Sequence, residues 1–183
     1  MKSLDTAKQK FIDPQAVIGQ LGISQGTKVA DFGCGSGYFT TAFAKVIGDD
    51  GIVYALDVLP QRLEAVESQA RILGLNNIVT KRVNLEKAGG SGLTDESVDW
   101  AVMKDVLFQN QDKGGMLAEA KRILKKNGKA LVIEWDKNGA SIGPEEKTRL
   151  SNEEILKIAE KDGWEILKEI EVGDFHYGLI FNK

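Results

Sequence analysis

Val29-Ala30-Asp31-Phe32-Gly33-Cys34-Gly35-Ser36-Gly37-Tyr38 joins an apolar run to the start of an amphipathic segment, and the fold is decided there. Thr27 to Phe32 reads as a buried strand and Tyr38 to Val46 as a helix. Between them three glycines alternate, a spacing that lets the backbone approach a ligand and presents N–H groups beside a helix N-terminus. In an open α/β sheet such a strand-to-helix turn is where a nucleotide-like ligand sits. A dinucleotide fingerprint counted from Gly33 and Gly35 needs its third glycine at position 38, which is Tyr38. The loop therefore suits a nucleotide-like ligand better than a nicotinamide dinucleotide.

Working outward, the same alternation repeats. Asp13-Pro14 is an N-cap and first-turn proline for a helix carrying Val17, Ile18 and Leu21 and stopped by Gly22. Ile52 to Asp57 is a strand, and Pro60 opens a helix with Leu63, Val66, Ala70 and Leu73 on one face, ended by Gly74. Ile78 to Val83 and Val98 to Met103 are strands; Met116, Leu117, Ala120, Ile123 and Leu124 mark the next helix. Asn127-Gly128 turns into a strand from Lys129 to Glu134, followed by a polar loop from Asp136 to Leu150. Ser151 and Glu154 form a capping box for a helix to about Lys161. Trp164 to Val172 and Tyr177 to Asn182 are joined only by Gly173-Asp174-Phe175-His176, too short for a helical crossover, so they pair as an antiparallel hairpin. Alternating β and α elements with right-handed crossovers give an α/β fold: a mostly parallel sheet covered on both faces, ending in one reversed strand.

The 183 residues fit one domain over 1–183, with 1–25 as an N-terminal lid or helix segment. Lysine plus arginine number 24 against 27 for aspartate plus glutamate, and a net charge of -3 argues against coating nucleic acid. The cluster Lys121, Arg122, Lys125 and Lys126 fits a helix C-terminus complementing the dipole better than an RNA or lipid site. One cysteine excludes an intramolecular disulfide, and with one histidine it removes most transition-metal constellations, so no metal is expected. No apolar run approaches the ~20 residues that span a bilayer, and Met1-Lys2-Ser3-Leu4-Asp5 is no signal peptide; no stable membrane insertion and a cytoplasmic location are expected.

Asp57 closes the second strand, where a carboxylate can accept both hydroxyls of a ribose. Asp31 with Gly33, Gly35 and Gly37, together with Asp57, resembles class I S-adenosylmethionine-dependent methyltransferases. Asn84 after the third strand and the Arg122-to-Glu134 stretch resemble the small-molecule, quinone-biosynthesis-like branch of that family. The resemblance covers roughly Asp13 to Lys183 and implies a three-layer Rossmann-like sheet of order 3-2-1-4-5-7-6 with strand 7 antiparallel.

It also implies S-adenosylmethionine as cofactor and S-adenosylhomocysteine as product. Gly33 and Gly35 would hold the methionine moiety with Cys34 and Gly37 in the same loop, Asp57 the ribose, Val58 and Leu85 the adenine faces, and Asn84 the adenine amino edge. Asp31 would orient the loop or reach the ligand's amino group through water; for Asn84 a loop-capping role competes. In-line methyl transfer needs alignment above all, so a general base is optional. The acceptor is expected to be a small molecule: Met103-Lys104-Asp105-Val106-Leu107-Phe108-Gln109 lacks the Asn/Asp-Pro-Pro-aromatic signature of nucleic-acid amine and glutamine methylation.

The catalytic candidates are His176, with Asp174 or Tyr177 beside it, and Asp105; the alternative for His176 is a water-exposed hairpin residue. Lys104, Trp135, Asp136, Arg149 and Tyr177 are placed on the substrate side. The lid is expected from the N-terminal ~20 residues, Asn84 to Ser97 and Asp136 to Leu150, leaving a wide mouth that a bulky acceptor or a partner subunit, as in a homodimer, would close. The N-terminal segment with Leu4, Ala7 and Phe11 could instead touch a membrane surface. A nicotinamide-dependent oxidoreductase and a non-catalytic cofactor-binding subunit are the rival functions.

Overall fold

The computed structural model describes residues 10–137 and 142–183; Leu4 and Ala7 of the expected amphipathic segment, and residues 138–141 of the polar loop, lie outside them. Seven strands form one sheet: β1 Lys28–Phe32, β2 Ile52–Asp57, β3 Ile78–Arg82, β4 Val98–Lys104, β5 Leu124–Trp135, β6 Glu165–Ile170 and β7 His176–Asn182. Their order is β3-β2-β1-β4-β5-β7-β6, as the family resemblance implies. β7 runs antiparallel to both neighbours, because the five-residue link Glu171–Phe175 to β6 allows only a hairpin.

Five α-helices lie among the described residues: α1 Pro14–Gly19, which precedes β1, and α2 Tyr38–Ile47, α3 Pro60–Leu73, α4 Lys113–Ile123 and α5 Asn152–Lys161 between strands. The capping box at Ser151 and Glu154 is formed, each side chain meeting the other's backbone N–H. The central strands carry buried apolar runs; Val29, Ala30 and Phe32 of β1 and Ala130 to Ile133 of β5 are fully buried, as sheets covered on both faces require. One apolar layer packs α4 and α5 on the sheet around Phe32, Met103 and Phe181, and the other packs α1 and α2 around Phe43 and Ile47. Val17, Ile18 and Leu21 belong to that second layer, so residues 14–21 are core.

Several boundaries differ from expectation. α4 stops at Ile123, and Leu124 begins β5, because the Val98–Leu124 bridge already belongs to the sheet. Lys125 and Lys126 are therefore not in the helix; they lie in an outward excursion of β5 between the Val98–Leu124 and Trp100–Lys129 pairs, where Asn127 takes φ 67°. The basic cluster is spent on structure: Lys121 Nζ donates to the carbonyls of Asp162 and Gly163, Arg122 pairs with Asp95 and Glu119, and Lys125 with Asp99. Trp164 precedes β6 and is buried, and His176 is the first residue of β7, not part of the turn.

The segment from Asn84 to Ser97 is not a free lid. Fully buried Ser91 donates N–H and Oγ–H to Glu119 Oε1, and Gly89 donates N–H to Oε2. Arg122 closes the network through Glu119 and the carbonyl of Leu93. Burial pushes the Glu119 carboxyl up, but Arg122 and Ser91 prevail and hold it at about 2.

Candidate functional site

β1 ends at Phe32, and the chain must turn at once into α2. Gly33 takes φ +68°, and a Cβ there would lie 2.6 Å from Val106, so this position admits no side chain. Gly35 also has positive φ, but the nearest atom to a Cβ there is 4.0 Å away, leaving open space on its side of the loop. The turn is pinned by Leu56 O, which accepts from Gly33 and Cys34, and by Asp57, which accepts from Gly35 N–H at 3.1 Å and Leu59 N–H at 2.9 Å. Asp57 thus braces the glycine loop while its carboxylate faces a cavity of about 480 Å³ at the C-terminal edge of the sheet.

Of the expected cofactor residues, Gly33, Gly35, Asp57, Val58, Asn84 and Leu85 line that cavity. Asp31, Cys34 and Gly37 stand behind it. Asp31 accepts from Thr40 Oγ at 2.6 Å and ties the start of α2 to β1; burial pushes its carboxyl up to about 6, with Thr40 and Lys104 opposing and Asp57 adding. Cys34 packs with Ala55, Leu63 and Val66, and burial pushes its thiol up. Asn84 Oδ1 accepts from Glu86 N–H, the loop-capping contact, while the residue lines the cavity as well.

On the opposite wall stand Lys104 and Asp105. Lys104 Nζ pairs with Asp105 Oδ2, and Asp105 has φ 54°, a left-handed conformation that costs a non-glycine residue about 1 kcal/mol or more. His176 Nε2 lies 3.2 Å from Asp105 Oδ1. Burial pushes the Asp105 carboxyl up, but His176 and Lys104 prevail and hold it below the usual carboxylate range. The two catalytic candidates are thus neighbours. Neither expected companion of His176 is bonded to it: Asp174 accepts from Lys10 N–H, and Tyr177 donates to Leu150 O.

Trp135, Asp136, Arg149 and Tyr177 do not line the cavity. The Trp135 ring lies 4.0 Å from the His176 ring, and Asp136 donates its N–H to Phe175 O. Arg149 is buried and donates to the carbonyls of Asp136, Ile142 and Pro144, fastening the loop after β5 from within. These residues hold the wall that carries His176.

Sequence reasoning missed Arg62, Glu86, Gln109 and Asn110, which line the cavity, and Glu134, which supports it. Glu134 is fully buried in β5 and accepts from Leu107 N–H at 2.8 Å, fixing the 3-10 turn Leu107–Gln109. Burial pushes its carboxyl up to about 8, opposed by Leu107 N–H and reinforced by Asp105. A lone glutamate in the apolar run Leu131-Val132-Ile133-Glu134-Trp135 was the available signal, because a central strand buries every position. A second depression of about 590 Å³, lined by Arg122, Asp95 and Lys183 among others, lies at the opposite, N-terminal edge of the parallel strands, away from the glycine loop.

The profile of a methyltransferase domain matches residues 23–172, from before β1 to just past β6. The chain belongs to the methyltransferase-domain family. Within it, 118 residues are 31% identical to the ubiquinone/menaquinone biosynthesis C-methyltransferase of Haemophilus ducreyi, covering 63% of this chain and 44% of that protein. The protein-L-isoaspartate O-methyltransferase of Fervidobacterium nodosum is 26% identical over 151 residues, 81% of this chain and 63% of that one. A crystal structure of an S-adenosylmethionine-dependent methyltransferase from Aquifex aeolicus superposes with a TM-score of 0.87 at 27% identity, covering 94% and 90% of the two chains. This methyltransferase domain shares the class I, Rossmann-like fold of S-adenosylmethionine-dependent methyltransferases. The matched region spans less than half the length of those quinone-biosynthesis relatives.

Proposed function

We propose that this domain transfers the methyl group of S-adenosylmethionine to a small-molecule acceptor by in-line displacement. One observation carries the reading: backbone at Gly33 and Gly35, the Asp57 carboxylate and the Asn84–Leu85 turn share one cavity with Lys104 and Asp105. The donor set fits the cofactor. Gly35 leaves room for close approach, Asp57 offers acceptor lone pairs for ribose hydroxyls, and half-exposed Val58 with buried Leu85 offers apolar surface for a purine. The bound cofactor would supply a sulfonium-activated methyl group. The chain aligns the acceptor on the Lys104–Asp105 wall and keeps α2 and the glycine loop in register through Asp31 and Asp57.

Residues 1–183 act as one domain in this proposal, with the N-terminal segment covering the mouth. Its support is local: Lys10 and Asp174 exchange backbone and carboxylate hydrogen bonds, Phe11 packs on Phe175 with centroids 5.4 Å apart, and Tyr38 donates to Ile12 O. No described helix is long and apolar enough to cross a membrane, and the cysteine is buried, which is compatible with a cytoplasmic setting. A bulky acceptor or a partner subunit, as in a homodimer, closes the mouth in this reading.

Calorimetric titration with S-adenosylhomocysteine and, separately, with reduced nicotinamide dinucleotide tests the reading. Micromolar binding of the first that weakens in Asp57→Ala supports it. Binding of the nicotinamide alone would mean an oxidoreductase, and binding without turnover of any acceptor would mean a cofactor-binding subunit.

A further inference from the structure

Glu134 is fully buried at the end of β5, one oxygen accepting from Leu107 N–H at 2.8 Å and the other, Oε2, without a hydrogen-bond partner. The 3-10 turn Leu107–Gln109 has no side-chain cap of its own, and Glu134 supplies the acceptor from the neighbouring strand. Glu134 does not line the cofactor cavity, but Val106, Gln109 and Asn110 on either side of its contact do. Asn110 Nδ2 donates to Val106 O at 2.6 Å, closing this segment on itself. Two contacts then carry its position to the two ends of the cavity. Val106 fills the space beside Gly33, where a Cβ would lie 2.6 Å from its side chain, so a shift of the turn changes the packing on the glycine loop. Gln111 N–H donates to Glu86 Oε1 at 2.7 Å, and Glu86 N–H donates to Asn84 Oδ1, tying the turn to the Asn84–Leu85 side.

We propose that Glu134 is a positioning residue for the cofactor, and that its neutral form is the one that holds residues 106–110 against Gly33 and Glu86 in the binding arrangement. This rests on the methyl-transfer reading above. The charged groups around Glu134 are Asp105, paired with Lys104 at the end of β4, and Tyr177 on β7, its hydroxyl given to Leu150 O, with Asp136, Glu153 and Glu154 beyond it. An ionised Glu134 sets a buried negative charge, one oxygen bare, beside Asp105; the neutral form keeps an acceptor for Leu107 N–H without that charge. Burial keeps the carboxyl protonated up to about 8, against the pull of the N–H groups of Leu107, Phe108 and Val106, and Asp105 adds to the push. One pH unit above that value about a tenth of the molecules retain the proton, so cofactor affinity should fall about tenfold between about pH 7 and about pH 9.

Calorimetric titration of the full chain with S-adenosylhomocysteine near pH 7 and near pH 9 tests this. Glu134→Gln keeps an oxygen for Leu107 and removes the charge, so it should match wild type near pH 7 and bind about tenfold more tightly than wild type near pH 9. Taking the ratio of the two proteins cancels the titration of the ligand's own amino group. Glu134→Leu, with no acceptor for Leu107 N–H, should bind about tenfold more weakly than Glu134→Gln at both pH values, with urea unfolding to verify that it is folded; if it does not fold, the Gln comparison decides. In amide NMR the Leu107 N–H signal should move between the two pH values in wild type and stay in Glu134→Gln. Equal affinities of wild type and Glu134→Gln near pH 9, equal affinities of folded Glu134→Leu and Glu134→Gln, or a Leu107 signal that does not move in wild type overturns the proposal. The failures are distinguishable: no binding by wild type near pH 7 ends the methyl-transfer reading, whereas binding indifferent to position 134 ends only this inference.

Discussion

Replacing Glu119 by Gln should unfasten the segment that carries Asn84 and Leu85 into the cavity. Glu119 is 3% exposed and accepts from Gly89 N–H at 3.0 Å, Ser91 N–H at 2.9 Å, Ser91 Oγ at 2.5 Å and Arg122 at 2.7 and 2.9 Å. Every partner is a donor. An amide of the same shape turns one acceptor oxygen into an NH2 facing donors, and Arg122 loses its buried counter-charge. Holding the carboxyl at about 2 against an ordinary 4.5 corresponds to about 3 kcal/mol of stability, in line with the 3–5 kcal/mol typical of breaking a buried pair. The sign follows from the depressed value: the contribution is whole above pH 4.5 and is lost as pH falls toward 2. Urea unfolding at neutral pH should show Glu119→Gln less stable by about 3 kcal/mol, with the gap closing at acid pH. A loss below about 0.5 kcal/mol at neutral pH, or a gap independent of pH, would refute the assignment of Glu119 as the staple.

Other expectations follow from single positions. Gly33→Ala, with its Cβ 2.6 Å from Val106, should lose about 2–4 kcal/mol of stability, whereas Gly35→Ala should lose about 1 kcal/mol and chiefly weaken S-adenosylhomocysteine binding; denaturation and calorimetry on both variants check the split. Glu134 has a folded value raised to about 8, so its contribution is present below 4.5 and lost as pH rises through 8. Wild type should therefore lose up to about 1.4 kcal/mol per pH unit in that window relative to Glu134→Gln, and parallel stability curves would contradict the burial argument. Cys34, buried and with its thiol pushed up, should resist alkylation by iodoacetamide in the native protein and react at the ordinary rate in urea.

Local chemistry carried most of the fold into the sequence. Period-2 and period-3.6 patterns, the Ser151–Glu154 box and the short link before β7 have near-neighbour causes; the box and the hairpin form, though the link runs from Glu171 to Phe175 and His176 belongs to β7. The glycine loop and Asp57 were legible for the same reason, since a tight strand-to-helix turn requires those residue types. What escaped depends on contacts between distant segments. His176 meets Asp105 across β7, β5 and β4, and no spacing along the chain encodes 3.2 Å between them. Arg149 looks like a loop cation until three carbonyls are seen to surround it. Glu119 sits three residues before Arg122 on the Met116, Ala120 and Ile123 side of α4, a placement readable as burial only once the 89–93 turn is known to lie against it.

The sheet order has a consequence for synthesis on the ribosome. β7 lies between β5 and β6, so a nascent chain that has emerged as far as Ile170 holds β6 without the strand it pairs with and β5 with an open edge. Until Asn182 has left the exit tunnel, Leu131 and Val132 present unpaired backbone flanked by apolar side chains, the kind of edge that pairs with other chains. Chaperone capture during translation should therefore peak in that interval, and the wall that carries Asp105 is completed last of all, when His176 docks against Trp135.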